Sequence, residues 1–170
     1  MQKYLIVLVA ALFAGAAAYA QPKAIGLRGG LFGLGYNAEI SYEHWGTIFD
    51  NDYDFVEAEL GVFAGNGFKG TLMYNFTFAQ PEFTNSGEWA FYAGPGLVVG
   101  YGTGYNRYDE KQSAPFVGAA FQLGLEYTFV FPLQLSIDFR PTFMVPTLMN
   151  RSEEGGPRWY GIALSGRYAF

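Results

Sequence analysis

Ten charged residues of this chain fall on alternate positions within extended, otherwise apolar segments. Alternate residues of a β-strand share one face of the sheet. We therefore expect the ten side chains to point together, away from the neighbouring aliphatic residues. Because the set holds six acids and four bases, its chemistry is ion pairing, with an acidic excess that protons, water or a cation could meet. The set comprises Arg28, Glu39, Glu43, Glu57, Glu59, Lys69, Glu126, Asp138, Arg140 and Arg167.

Catalytic chemistry has little support in the sequence. His44 is the only histidine, and a hydrolase acting on lipid would need it beside a serine nucleophile. The strand serines Ser41, Ser136 and Ser165 fall on the opposite phase from His44, which disfavours such a pair. The chain has no cysteine, so thiol nucleophiles and cysteine-based zinc sites are excluded. We predict no catalytic residue, no cofactor and no metal site, and hence a protein that is not an enzyme.

Eight segments with a hydrophobic period of two carry the ten charges. They cover about 24–32, 38–45, 54–63, 68–78, 89–101, 116–129, 133–143 and 159–170. In the last segment Ile162 and Leu164 share the outward face with terminal aromatics, whereas Ser165 and Arg167 share the inward face. One further expectation concerns Pro95, which lies between two glycines and cannot donate a ladder hydrogen bond. A β-bulge or local bend is predicted there.

The N-terminus has the features of a secretory signal peptide over residues 1–20. Lys3 provides the positive charge, residues 5–12 the apolar run, and Ala18-Tyr19-Ala20 a cleavage site before Gln21. The predicted mature domain is 21–170, and no later stretch is long and apolar enough for a transmembrane helix. Removing Lys3 leaves 9 basic and 15 acidic residues, a net charge of −6. That balance argues against a nucleic-acid partner.

Two features favour a membrane barrel, whose apolar face meets lipid and whose polar face lines the lumen. Long polar connections at about 102–115 and 144–158 alternate with short turns such as Gly65–Gly67. Outward aromatic residues also gather at the end of the sheet that holds both termini, as in an interfacial girdle. They are Phe76, Phe78, Trp89, Phe91, Tyr127, Phe129, Tyr168 and Phe170, with a weaker opposite set of Phe68, Tyr101, Phe143 and Tyr160. The predicted fold is all-β, a closed eight-stranded antiparallel up-and-down transmembrane β-barrel.

Two of the segments carry a family resemblance. They read Trp89-Ala-Phe-Tyr-Ala-Gly-Pro-Gly96 and Pro132-Leu-Gln-Leu-Ser-Ile-Asp-Phe-Arg-Pro141. The mature chain resembles small bacterial outer-membrane β-barrel proteins of the OmpA/OmpX-like class, and within it an uncharacterised group sharing these strands. The first strand departs from the group by an insertion between Trp89 and Tyr92. The resemblance implies short periplasmic turns and a C-terminal signal, here Tyr168 and Phe170, that the barrel-assembly machinery reads.

These observations lead to a functional expectation. We expect a monomeric, porin-like barrel in the outer membrane of a Gram-negative bacterium, in contact with outer-membrane lipid. Its role is structural or interaction-bearing, with a polar-plugged lumen and surface loops. The tyrosine-rich segment Tyr101–Tyr108 is the candidate for an unidentified extracellular ligand.

Three alternatives stay open. The first is a narrow channel or conduit for ions or small apolar solutes, which the many inward glycines favour because they leave space for water. The second is an outer-membrane lipid-modifying enzyme that uses His44. The third is a soluble periplasmic barrel with a ligand cavity.

Overall fold

The computed structural model describes residues 23–32, 35–46, 53–63, 67–105, 111–146 and 161–170. The described residues form nine strands. They are β1 (Lys23–Phe32), β2 (Gly35–Trp45), β3 (Asp54–Phe63), β4 (Gly67–Ala79), β5 (Gly87–Tyr105), β6 (Lys111–Phe129), β7 (Gln134–Phe139), β8 (Thr142–Pro146) and β9 (Ile162–Ala169). The predicted signal peptide, residues 1–20, lies outside the described residues. In the described ranges no helix is long and apolar enough to cross a membrane, a finding that does not bear on crossing by strands.

The strands form one closed antiparallel sheet. Strands β1 to β6 pair in chain order, β9 pairs with both β1 and β7, and the β5–β6 pairing completes the ring. Strands β7 and β8 both pair with β6, so they are two halves of one strand interrupted at Arg140 and Pro141. Backbone hydrogen bonds hold this interruption in place, from Arg140 to Gly161 (2.6 Å) and from Phe121 to Pro141 (3.1 Å). The predicted closed eight-stranded barrel is confirmed.

The two faces of the sheet have opposite chemistry. Outward residues such as Leu27 (69% exposed), Leu60 (72%) and Leu164 (64%) are open, although they are among the most apolar of the chain. Inward residues such as Glu57 (0%) and Arg167 (1%) are buried although they are charged. Because a soluble sheet would bury its aliphatic face, this arrangement is the one expected when hydrocarbon surrounds the barrel.

Strands β5 and β6 extend further than the sequence predicted. Each has 19 residues, and they pair from Gly87–Phe129 to Tyr105–Lys111. The connection expected over 102–115 is therefore mostly strand, and 106–110 lie outside the described residues. Small polar residues such as Thr103 and Ser113 sit opposite each other, and their hydroxyl oxygens are 2.8 Å apart. Such small polar residues are typical of loops, which is why the sequence predicts a connection here. Strand pairing, however, requires only that the backbone N–H and C=O groups find partners.

Pro95 does not produce the predicted bulge. It pairs with Phe121, and the β5–β6 register is the same before and after it. Toward β4 the pairs stop at Met73–Gly96 and resume at Phe76–Ala93, so the ladder is interrupted at Gly94 and Pro95 without a shift of register. The register shift of this region lies instead between Thr77 and Ala79 of β4. Gly94 explains how the strands stay close beside the proline, because an added Cβ would lie 1.9 Å from the carbonyl oxygen of Tyr74. Glycine is required there for close approach of the neighbouring backbone.

Candidate functional site: the charged interior

All ten charged residues predicted to line the interior are buried there. They lie on the inward phase of β1–β4, β6, β7 and β9, with Arg140 at the break between β7 and β8. Antiparallel pairing sets opposite charges side by side at Arg28 and Glu39, but it also sets two acids together at Glu43 and Glu57. Arginine and lysine side chains from other strands must therefore reach across to the acids.

Three bases and three acids form one group, the Arg28 cluster: Arg28, Lys69, Arg140, Glu39, Glu59 and Asp138. The Arg28 guanidinium contacts Asp138 through two nitrogens (2.5 and 3.1 Å), Glu39 at 3.0 Å and Glu59 at 3.2 Å. Lys69 forms an ion pair with Glu39. Bidentate arginine–carboxylate pairing of this kind is the strong form of a charge-assisted hydrogen bond. This cluster is balanced in formal charge.

Arg140 reaches both carboxylates of β3. It forms an ion pair with Glu59, which it also contacts through Nη2 at 3.0 Å, and that nitrogen lies 3.3 Å from Glu57. The same nitrogen donates to the side-chain carbonyl of Gln122 at 2.9 Å, and the Gln122 amide donates to Glu57 at 3.0 Å. Arg140 and Gln122 therefore connect the Arg28 cluster with the charges nearer the chain termini.

Those charges form the second group, the Arg167 cluster: Arg167, Glu43, Glu57 and Glu126. Arg167 forms an ion pair with Glu57, and its Nη1 lies 2.8 Å from Glu43 and 3.7 Å from Glu126. It also donates to the hydroxyls of Ser41 and Ser136, both at 2.9 Å. Here one base faces three acids, so the acidic excess of the whole interior is located in this cluster.

The inward glycines do not leave open space as expected. An added Cβ would lie 2.2 Å from Sδ of Met73 at Gly96, and 2.2 Å from the Tyr92 ring at Gly124. At Gly100 it would lie 2.5 Å from the Phe116 ring. These positions are glycine because large side chains from other strands occupy the space above them. The expectation that they leave room for water is wrong at these three positions.

Sequence reasoning missed this apolar part of the interior. Met73, Val98 and Ala120 form a buried cluster against which Phe116 packs, and Phe63 lies against Phe116 with ring centroids 6.0 Å apart. These residues lie on the inward phase of β3 to β6, and the same phase that located the charges could have located them. The prediction of a polar plug is therefore incomplete, because the interior is part ionic and part apolar.

A second apolar layer lies at the end of the barrel that holds the termini. Phe55 and Tyr92 are fully buried, with ring centroids 5.1 Å apart, and Trp45 packs on Phe55 at 4.4 Å. The Tyr92 hydroxyl accepts a hydrogen bond of 3.4 Å from Gln122. Aromatic rings therefore fill the interior between the Arg167 cluster and this end of the barrel.

The outward aromatic residues pack on one another around the same end. Ring centroids of Trp89 and Tyr127 lie 4.6 Å apart, as do those of Tyr127 and Phe129. Tyr168 and Phe170 are stacked at 6.3 Å. The opposite set contains exposed Phe68, Tyr101 and Phe143, while Tyr160 lies outside the described residues. The structure therefore places aromatic residues at both ends of the exposed aliphatic zone.

His44 has no serine partner in the described part of the chain. Its Nδ1 lies 3.2 Å from the hydroxyl of Tyr42 on the outward face. Ser41, Ser136 and Ser165 are buried on the inward face. In the described ranges, no group of three or more histidine, cysteine, aspartate and glutamate side chains is arranged to hold a metal ion.

The fold and interior define a class: small closed antiparallel barrels that are apolar outside and filled inside by paired charges and large side chains. The chain is similar to the crystal structure of the N-terminal β-barrel domain of Pseudomonas aeruginosa OprF. The TM-score is 0.66 and the identity 17%, over 88% of this chain and 98% of that one. No family model matches the sequence, and no curated protein matches it significantly. The similarity supports the small-barrel class, while the narrower group inferred from the Trp89 and Pro132 segments stays a prediction.

Proposed function

We propose that this chain is an outer-membrane barrel of a Gram-negative bacterium, with a structural or interaction role and a lumen closed to free diffusion. The exposed aliphatic zone between two sets of aromatic residues supports the membrane location, because rings of this kind settle at the two membrane interfaces. The similarity to the OprF barrel domain is consistent with it. In this proposal the protein has no catalytic activity and functions as a monomer.

The closed lumen rests on one observation: side chains from opposite walls fill the interior at successive levels. The Phe55–Tyr92 layer, the two charge clusters and the Met73 cluster together include residues of every strand from β1 to β7 and of β9. An eight-stranded barrel is only wide enough for its side chains to fill. A diffusing ion would have to separate buried ion pairs, each of which loses several kcal/mol when one partner is left alone.

Planar-bilayer recording tests the closed lumen. The purified protein is expected to insert without steady ionic conductance, because the ion pairs and rings leave no continuous aqueous path. A matched variant, Met73→Gly, should also show no steady conductance, because the two charge clusters and the Phe55–Tyr92 layer still close the lumen. Steady wild-type conductance that Glu57→Gln or Arg140→Met abolishes would contradict the proposal and support the conduit alternative.

Membrane location needs a separate test. Cell fractionation should recover the protein with outer membranes, and the folded form should migrate differently in gels before and after boiling. Recovery in the soluble periplasmic fraction without detergent would favour the soluble-barrel alternative. A tag inserted near Asn150 should be accessible on the cell surface, since the flanking strand ends at Pro146 and Ile162 lie at the end of the barrel opposite the termini.

The β5–β6 hairpin is the proposed site of interaction with an extracellular ligand. It is the longest strand pair of the described barrel, and its far end carries the exposed Tyr101. Of the tyrosine-rich segment Tyr101–Tyr108, residues 106–108 lie outside the described residues. Tyrosine and arginine are enriched at binding hot spots, which supports recognition by this hairpin.

The C-terminal aromatic pair is the proposed signal for the barrel-assembly machinery. Phe170 is exposed and stacks on Tyr168, while its backbone donates to the carbonyl of Lys23 (2.8 Å). Phe170→Ala is expected to lower the amount of assembled barrel in cells several-fold, with little change in stability after refolding in detergent. Val130→Ala, a matched change of an exposed apolar residue in a turn, should leave assembly unchanged. Equal assembly of both variants would contradict this role.

A further inference from the structure

The Arg167 cluster contains more hydrogen-bond acceptors than donors. Both carboxyl oxygens of Glu43 and Oε2 of Glu126 are buried, and no donor of the described residues reaches them with good hydrogen-bond geometry. The three nitrogens of Arg167 already donate to Ser41, Ser136 and Glu57. Ion contacts with Arg167 remain, but a carboxylate that accepts no hydrogen bond in a buried site is costly.

The geometry brings these two acids together. Glu43 and Glu126 come from β2 and β6, yet both contact the same nitrogen, Nη1 of Arg167. Glu57 also contacts this guanidinium and shares Arg140. Two carboxylates that share part of one positive charge repel each other, and binding a proton relieves the repulsion.

Gln134 gives an independent observation of the same kind. Its buried amide lies within hydrogen-bonding reach of both carboxyl groups, so one neutral amide is shared between two acids. Its Oε1 receives no hydrogen bond from the described residues. An amide oxygen can only accept. An ionised Glu43 or Glu126 can only accept as well, whereas a carboxylic acid carries one O–H donor.

We propose that Glu43 and Glu126 form a proton-binding site that holds at least one proton when the protein is folded at neutral pH. The protonated acid supplies the missing donor to Gln134 or to the other carboxyl group. Binding this proton also reduces the acidic excess of the interior. The sequence shows the size of that excess, but not which acids carry it. A proton is small enough for this site, because buried side chains from β2, β6, β7 and β9 already surround the two carboxyl groups.

The charged and titratable groups around this site are few. Arg167 faces it from β9, Glu57 from β3 and Tyr92 from β5, and Arg140 approaches through Glu57. Strand β1 offers Ala24 and Gly26 at this level, β4 offers Met73 and Asn75, and β7 offers Gln134 and Ser136. None of these last six side chains titrates, so Arg167 is the main counterion.

Proton uptake on folding has a definite sign. Glutamate in an unfolded chain is ionised at neutral pH. If the folded protein retains a proton there, the folded state binds more protons, and stability falls as pH rises. One such proton lowers the folding equilibrium constant about tenfold for each pH unit in the range where only the folded carboxyl is protonated.

The experiment combines infrared spectroscopy with unfolding of the full mature chain in detergent micelles. A carboxylic-acid C=O band is expected in the folded wild type at neutral pH, and it should disappear in the Glu43→Gln/Glu126→Gln double variant. That variant should keep wild-type stability at neutral pH and lose its pH dependence. Glu39→Gln is the matched control in the balanced cluster, where it removes a carboxylate that contacts Arg28 and Lys69 and should be destabilising.

Three results would overturn the proposal. The first is a wild-type spectrum without an acid band, which would mean that water supplies the missing donors. The second is a pH dependence that persists in the double variant. The third is a stability that follows the concentration of sodium or potassium ions instead of pH, which would assign the site to a cation. The wild-type spectrum keeps the proposal testable even if the double variant does not fold.

Discussion

Replacing Arg140 with methionine is expected to destabilise the barrel by roughly 3–5 kcal/mol. The reason is that Glu57 and Glu59 would lose the guanidinium that contacts both of them, while remaining buried. Removing one partner of a buried ion pair is costly because the other charge stays without compensation. Urea titration of the protein refolded in lipid vesicles, followed by tryptophan fluorescence, measures this change.

A double variant provides the control for Arg140. Adding Glu59→Gln to Arg140→Met removes the main uncompensated charge and should recover part of the lost stability. The recovery, measured as a double-mutant cycle, separates the ion pair from the packing of the arginine side chain. An Arg140→Met barrel as stable as wild type would show that water screens these charges and that the interior is not tightly filled.

The second large effect is expected on the outer face. Leu60→Arg should cost about 2–4 kcal/mol if the residue lies near the midplane of a bilayer. Leu60 is 72% exposed in mid-strand, opposite the equally outward Ile40 of β2. A charge there would have to leave water for hydrocarbon. Unfolding in vesicles, with folding followed by gel mobility, gives the measurement.

The same substitution distinguishes a membrane barrel from a soluble one. In water, an exposed Leu60→Arg change should alter stability by no more than about 0.5 kcal/mol. Glu88→Arg is the matched control, because Glu88 is exposed at the end of β5, near the turn. A Leu60→Arg effect no larger than the Glu88→Arg effect would remove the support for lipid around the barrel.

Sequence periodicity was sufficient to predict the fold and the inward set of charges. Successive strand residues alternate between faces, so a charge such as Glu57 and an aliphatic such as Leu60 are assigned once the strand phase is known. Closure follows less directly, but the apolar zone on the outside required a sheet without edges. Strand alternation and side-chain polarity are local properties, so the sequence of one chain is enough to show them.

Pairing partners could not be predicted in the same way. Arg28 and Asp138 are 110 residues apart, as are Arg167 and Glu57. Which charges meet depends on how far each strand is shifted along its neighbours in the barrel. The alternation of polar and apolar residues does not reveal that shift. For the same reason the sequence wrongly predicts open space at the inward glycines, because the side chains that cover Gly96 and Gly124 come from other strands.

The period-two alternation of polar and apolar residues also does not predict where the strands end. The β5–β6 pair continues through glycine, threonine and serine residues for which the sequence predicts a loop. The break at Arg140 and Pro141 divides a segment that reads as one continuous strand. In both places backbone hydrogen bonding decides the boundary, and side-chain hydropathy gives no sign of it.

The ion pair between Arg140 and Glu59 has a consequence for how the molecule assembles. Strands β9, β1 and β2 lie between these two residues in the barrel, so the two side chains extend from opposite walls. An unfinished sheet holds these two side chains apart, and Glu59 then has only Arg28 of β1 within reach. The contact between Arg140 and Glu59 can form only when the ring closes. Closure of the ring and formation of this ion pair are then one cooperative event, and a partly assembled intermediate has neither.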